Sequence, residues 1–346
     1  FRRVLFRSGP SVDLHELTQD LLDRGIRVPI MIRFPDIIKS RVELLNGCFK
    51  KAFADHGYKG NYNGVYPIKV NQQRHLVQEL VKYGKDFSMG LECGSKPELL
   101  VVLALMSTEN ALIICNGFKD AEYIETAILS QKLGRNTIIV VDRKEELKMI
   151  IDAAKKFNTR PKIGFRAKLN TQGAGKWVDS SGARSKFGLT AVEIVEGVEV
   201  LKNEGMLDCL ELLHYHIGSQ VPQIQSIKSS LKEGARFFTE LYKMGAGLKY
   251  IDVGGGRGRD RDVGGGERRR VVEAVADHQH LVPLGGKLGQ ARGLVGRAAM
   301  GAPGSDADGA GDILHHRRAV ARQQLDGNAG VFQLRSEEHT SELQSH

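Results

Sequence analysis

Cysteine is scarce in this sequence, tryptophan occurs once, and long apolar runs are missing. The four cysteines, Cys48, Cys93, Cys115 and Cys209, are scattered through 346 residues, and none forms a CxxC pair. That spacing excludes a disulfide framework and the paired-thiol zinc patterns; reduced thiols in a cytoplasmic protein are the expectation. No run approaches the ~18 apolar residues of a membrane span, so no membrane partner is expected. No basic segment followed by an apolar stretch opens the chain, so secretion is not expected either. Positive charge is plentiful: 50 Lys and Arg against 41 Asp and Glu give a net +9. Such an excess invites nucleic acid. The charge forms no coherent patch, however, and no nucleic-acid partner is expected.

The two ends have an odd relation. Residues 2–8, RRVLFRS, and 335–341, RSEEHTS, can be encoded by complementary strands of one DNA word, AGATCGGAAGAGCACACGTCT. The word resembles a sequencing-library adapter, so residues 1–8 and 335–346 are expected to take no part in the fold. Composition shifts again near Gly256. Residues 257–334 hold one lysine, Lys287, eleven arginines and one aromatic, Phe332. Gly, Ala and Arg dominate, and no strand or helix period persists beyond a short possible helix at 270–276. An Arg-rich nucleic-acid tail is one reading. Out-of-frame translation of GC-rich DNA is the other, and it predicts a poorly ordered tail that adds no strand.

The intervening sequence alternates strand and helix. Strands are predicted at 65–70, 87–92, 112–116, 137–142, 162–168, 210–216 and 250–253. Helices are predicted at 97–106, 121–133, 144–157, 191–203 and 227–244 by apolar spacing. In the first of these, Leu99, Leu100, Leu103 and Met106 share a face. Ser95 with Glu98 reads as a capping box, and Asp142 and Thr190 as caps. Residues 9–63 read as a leader packing on the main body, with a strand-like run at 28–34 and a helix at 42–56. Strand–helix alternation means a parallel sheet. Seven units predict an α/β fold, a (β/α)8 TIM-type barrel, incomplete because no eighth strand is recognisable. A doubly wound sheet is the alternative.

A barrel does its chemistry at the carboxyl ends of its strands. Lys69, Glu92, Asn116, Arg166, His216 and Gly254–Gly256 all fall at or near such ends. Lys69, in YPIKVNQ, has apolar neighbours, as an imine-forming lysine with a burial-lowered pKa would; a lysine reaching out of a strand terminus reads equally. YIDVGGG ends a strand in three glycines, which let backbone N–H groups approach an anion such as phosphate. The GxGxxG spacing is absent there, and a tight turn remains open. In LELLHYHIGSQ, His214 and His216 share a strand face. They could bind metal or lie on an aromatic ring, while Gly218–Ser219 could add phosphate donors; a core histidine suits His214 better. The polar loop 170–188 over the mouth could be a lid, a substrate clamp or a solvated insertion.

GVYPIKVNQ, LECGSKPEL, CNGFKD, GFRAKLNTQGAGKW, SKFGL, LHYHIGSQ and DVGGG occur in this order. Together they closely resemble the biosynthetic arginine decarboxylase family, pyridoxal 5'-phosphate enzymes with an alanine-racemase-like barrel. The resemblance covers residues 20–256. It implies that Lys69 holds the cofactor as a Schiff base and that His216 stacks on the pyridoxal ring. Ser219, Gly254, Gly255 and Gly256 would bind its phosphate, and Glu92 and Arg166 would lie in or beside the pocket. Residues 64–256 would be the cofactor-binding portion of the barrel. The implied substrate is L-arginine, the products agmatine and CO2 at the head of polyamine synthesis. Mg2+ and a homo-oligomer come from the resemblance alone. The family's ESGR segment, its C-terminal β-domain and the cysteine a second subunit lends have no match here, so an amino-terminal fragment is expected. Three alternatives stay open: a related decarboxylase of ornithine, lysine or diaminopimelate; a non-catalytic cofactor-binding homologue; and a basic nucleic-acid-binding protein.

Overall fold

The computed structural model describes residues 12–170, 185–218, 221, 224–255 and the backbone of 293–297. The chain divides into two compact units, residues 1–34 with 301–346, and Pro35–Met300. The described part of the first unit holds one helix, α1 (Leu14–Asp23), capped by Asp13, whose carboxylate accepts from the His15 and Glu16 amides. The predicted strand at 28–34 does not form. Pro29, without an N–H, suits no sheet ladder.

The second unit opens with α2 (Pro35–Asp55), which packs on α3 (Arg74–Gly84) and on β1 (Tyr62–Pro67). Strands β2 (Gly90–Cys93), β3 (Leu112–Cys115), β4 (Asn136–Val141), β5 (Ile163–Ala167), β6 (Leu210–His216) and β7 (Tyr250–Gly254) follow. Helices α4 (Lys96–Leu105), α5 (Ala121–Lys132), α6 (Lys144–Lys156), α7 (Ala191–Asn203) and α8 (Ile224–Lys243) alternate with them. All seven strands are parallel and neighbour one another in chain order.

The seven parallel strands are those expected of the barrel, and a short eighth lies between β7 and β1. β8 (Gly293–Arg297) pairs in parallel with β7, Asp252 opposite Val295, and with β1, Gly64 opposite Gly296. It comes from the segment expected to add no strand. Sequence pattern misses it because GLVGR has only two adjacent large apolar residues. Its place is fixed by backbone pairing on both sides, which needs no side-chain pattern.

Strand alternation sorts the core. Val65, Leu112, Ile114, Ile138, Val140 and Leu212 fill the barrel interior. The intervening residues, among them Leu91, Ile113, Ile139, Phe165 and Tyr215, meet the helices. Packing leaves little slack: a Cβ on Gly90 would stand 2.3 Å from the Leu112 carbonyl oxygen. Tyr123 of α5 donates its hydroxyl to the Cys93 carbonyl at 3.0 Å, tying helix to sheet. Helix α4 buries Leu99 and Val102, while Leu100, expected on the buried face, is exposed.

The caps differ from expectation in two of three places. Thr190 and Glu193 form the reciprocal box. Ser95 caps α4, but Glu98 turns to the Gly94 amide at 2.6 Å. Asp142 does not cap α6; Arg143 holds that position without a side-chain bond, and the Glu146 carboxylate accepts the Asp142 amide at 2.9 Å.

Cys93 and Cys115 lie side by side with sulfurs 3.7 Å apart and no solvent access, and burial pushes the Cys93 thiol up. Burial also raises the Cys209 thiol, while Cys48 is exposed. Alkylation of the native chain near neutral pH should therefore modify Cys48 alone, the other three reacting after denaturation. Native labelling of Cys93 or Cys115 at the Cys48 rate, read by peptide mass, would contradict this packing.

Candidate active site

A closed parallel barrel gathers the carboxyl ends of all its strands on one rim. There the inward-facing rows change from apolar to polar. Ile114 gives way to Asn116, Val140 to Asp142, and Leu212 to His214 and His216, while β1 ends at Pro67. The residues expected at the strand ends stand here, with Gly254 and Gly255 at the end of β7. Ser219 and Gly256 lie outside the described residues, as does most of the 170–188 loop.

Lys69 departs from its expected setting. β1 ends at Pro67, and Lys69 sits on the 3-10 turn Ile68–Val70, exposed. It is not a cation inside a strand. Pro67 is paired with Glu92, so the turn starts beside that carboxylate. Glu92 is buried, and its Oε1 accepts from Asn116 Nδ2 at 3.1 Å.

The end of β6 and the end of β7 meet through backbone. A Cβ on Gly255 would lie 2.6 Å from the Gly218 carbonyl oxygen, and Gly255 adopts φ +113, a conformation L side chains rarely adopt. A Cβ on Gly254 would lie 2.8 Å from His214 Cε1 and 3.4 Å from His216 Nδ1. Neither position has room for a side chain, and bare glycine backbone at a strand end is what an anion needs if N–H groups are to come close. His214 is fully buried, its Nδ1 3.1 Å from Asp252 Oδ2. His216, one strand alternation further out, is half-buried at the rim. The reading of His214 as the core histidine thus holds.

Across the mouth, Arg166 Nη1 donates to Asp142 Oδ1 at 2.9 Å. Behind Asp142 lies a buried pair, Lys119 Nζ 2.9 Å from Glu146 Oε2. Lys119 Nζ also donates to the Gly117 carbonyl at 2.6 Å. The Phe187 ring covers the Arg166 guanidinium at 5.0 Å; Phe118 packs on Phe187 at 5.1 Å, and Arg143 on Phe118 at 4.4 Å. Sequence reasoning missed Lys119, Asp142, Glu146 and Phe187 as site neighbours. The available signal was CNGFKD, where a lysine follows a strand end by four residues, as Lys69 follows one by two. Among the described residues no group of three His, Cys, Asp or Glu could hold a metal ion. A cleft of about 420 Å³ lies between the segments leading into β3 and β4, at the barrel's other end.

The family profile described as pyridoxal-dependent decarboxylase, pyridoxal binding domain, matches residues 45–279. The chain belongs to the pyridoxal-dependent decarboxylases. Within that class it is similar to biosynthetic arginine decarboxylases. It is 51% identical over 254 residues to that of Thermosynechococcus vestitus, covering 73% of this chain and 40% of the relative. It is 53% identical over 251 residues to that of Gloeobacter violaceus, covering 72% and 39%. The crystal structure of the biosynthetic arginine decarboxylase from Campylobacter jejuni superposes with a TM-score of 0.73 at 33% identity, covering 86% of this chain and 50% of that one. The chain thus spans about two fifths of the length of these curated relatives. A Helicobacter pylori diaminopimelate decarboxylase, 21% identical with a TM-score of 0.63, shares the fold.

Gly255→Ala should cost about 1–3 kcal/mol, combining a strained φ with backbone collision. Gly134→Ala, also at positive φ but with nothing within 4 Å of its Cβ, should cost less. Denaturant midpoints of the two variants test this crowding, and equal losses would contradict it.

Proposed function

We propose that the rim binds pyridoxal phosphate and that the longer protein decarboxylates L-arginine to agmatine and CO2. The observation that carries the cofactor site is the Gly254–Gly255 pair, which has no room for side chains, beside His216 on the rim that also bears Lys69. The residues fit the group: glycine amides for a phosphate, an imidazole beside them, and a lysine amine. In this reading Lys69 holds the cofactor covalently, and the His216 imidazole lies against its ring. Gly254 and Gly255 take the phosphate, joined by Ser219 and Gly256. When bound, the cofactor supplies an electron sink for the pair released as the Cα–carboxylate bond breaks. Glu92, fixed by Asn116, and Arg166, fixed by Asp142, orient the charged groups of the ligand. The exposed Lys69 needs no burial for this role: proximity to a held aldehyde gives the amine its advantage.

Arginine as substrate rests on the 51% identity to a biosynthetic arginine decarboxylase. A role in polyamine and spermidine synthesis follows from that substrate. The absence of any disulfide among four cysteines supports a reducing, cytoplasmic setting. A homo-oligomer and Mg2+ rest on the family resemblance alone, and no described residues are assigned to the metal. Residues 64–256 are the proposed cofactor-binding portion.

Mixing the chain with pyridoxal phosphate should give a visible absorption band that borohydride fixes onto Lys69, located by peptide mass. Lys69→Ala should abolish the fixed adduct. A reduced adduct on Lys82 or Lys96 instead would sink the assignment. In the longer protein, the same variant should lose release of CO2 from labelled arginine.

A further inference from the structure

The mouth holds four charges in a chain, and only Arg166 among them was expected there. Asp142 stands one residue past β4 with its side chain wholly buried. Its Oδ1 takes the Arg166 guanidinium, and its Oδ2 accepts no hydrogen bond from the described residues, with Lys119 Nζ facing it at 3.9 Å. Glu146 ties the rest together: its oxygens accept the Asp142 amide at 2.9 Å, the Lys119 amide at 3.0 Å and the Lys119 ammonium at 2.9 Å. Lys119 and Glu146 side chains are fully buried. Two cations and two anions balance within the network, and the half-exposed Arg143 reaches Glu146 Oε1 from its edge at 3.9 Å. Removing any one strands a charge in a site that excludes water.

A buried, balanced network seldom adds stability over an apolar core; what it supplies is a fixed geometry. The half-satisfied Asp142 carboxylate fits that purpose. It is held by cations on both sides while its backbone N–H is claimed by Glu146. Arg166 has five N–H donors, and among the described residues Asp142 is its hydrogen-bond partner. The Phe187 ring holds one face of the guanidinium. Beyond Phe187, the Gly188 amide bonds the Asp142 carbonyl at 3.1 Å, and the Leu189 amide bonds the Arg166 carbonyl at 2.7 Å. The same short segment therefore grips both partners by backbone and one by its ring.

We propose that Asp142 is a positioning residue. Held by Glu146 and Lys119, it sets the Arg166 guanidinium at the barrel mouth to meet an anionic oxygen of the bound cofactor, with Phe187 closing the opposite side. The proposal rests on the pyridoxal phosphate reading for its ligand. The arginine's placement, however, can be measured without any ligand.

Two readouts on the whole chain separate the questions. One is the rate at which phenylglyoxal modifies Arg166, followed by peptide mass; the other is affinity for pyridoxal phosphate by absorbance titration. Asp142→Asn should raise the modification rate and weaken cofactor binding by roughly tenfold each, the scale of one charged hydrogen bond. Asp142→Glu should restore most of both, which a general loss of packing would not allow. Phe187→Leu, which spares the ion pairs, should raise the modification rate by about threefold, the scale of one cation–π contact; should Asp142→Asn fail to fold, this variant decides. Unchanged modification of Arg166 in the folded variants overturns the proposal. So does faster modification with unchanged cofactor affinity. If the parent chain binds no pyridoxal phosphate, the cofactor reading fails on its own, while the modification rates still decide whether Asp142 places Arg166.

Discussion

The structure depends on closure of a parallel sheet. Each strand in the ring has a neighbour on both sides, so the backbone groups of the sheet bond to one another rather than to water. Closure also forces direction. Because every strand runs the same way, every strand end arrives on the same rim, and residues remote in sequence become neighbours without any need to attract one another. His216 and Gly254 are opposite each other because β6 and β7 are in register, His214 with Asp252 one step below. The apolar interior ends at Ile114, Val140 and Leu212, and the next inward position on these strands is polar.

Within that frame, charge does the fine placement. The interior of a barrel is a poor solvent, so a charge there persists only with a counter-charge at hand. The Arg166–Asp142–Lys119–Glu146 chain meets the demand by alternation. Its members come from β5, from the segments just past β3 and β4, and from the first turn of α6, so the network also sews three adjacent units together above the sheet. The His214–Asp252 pair does the same for β6 and β7, below the half-buried His216.

Much of this could be read from the sequence, for a physical reason. Parallel strands buried on both faces are continuous apolar runs, and Leu210–His216 and Ala191–Asn203 have the predicted boundaries. Boundaries moved where backbone chemistry overrode the apolar run. At Pro67 the strand gave way to a turn, which carried Lys69 out of the sheet. Asp142 was misread because an acidic residue just before a helix has the signature of a cap. Nothing local announces that Arg166, 24 residues later, will take its carboxylate. Glu146 was equally hidden, since a glutamate in a first helical turn is ordinary. β8 escaped because its strand character comes from its neighbours.

That last feature bears on how the barrel can fail. β1 and β7 each present a complete edge of amides and carbonyls, and five residues with two glycines between them are all that cover both. A chain cut before Gly293 would keep its helices and most of its core, yet would carry two open, parallel-facing edges. Exposed edges recruit strands from elsewhere. The gap would then be filled by whatever extended segment arrives first, including the same edge of a second molecule. The closing strand, the least distinctive stretch of the barrel, thus sets whether the molecule ends at its own surface.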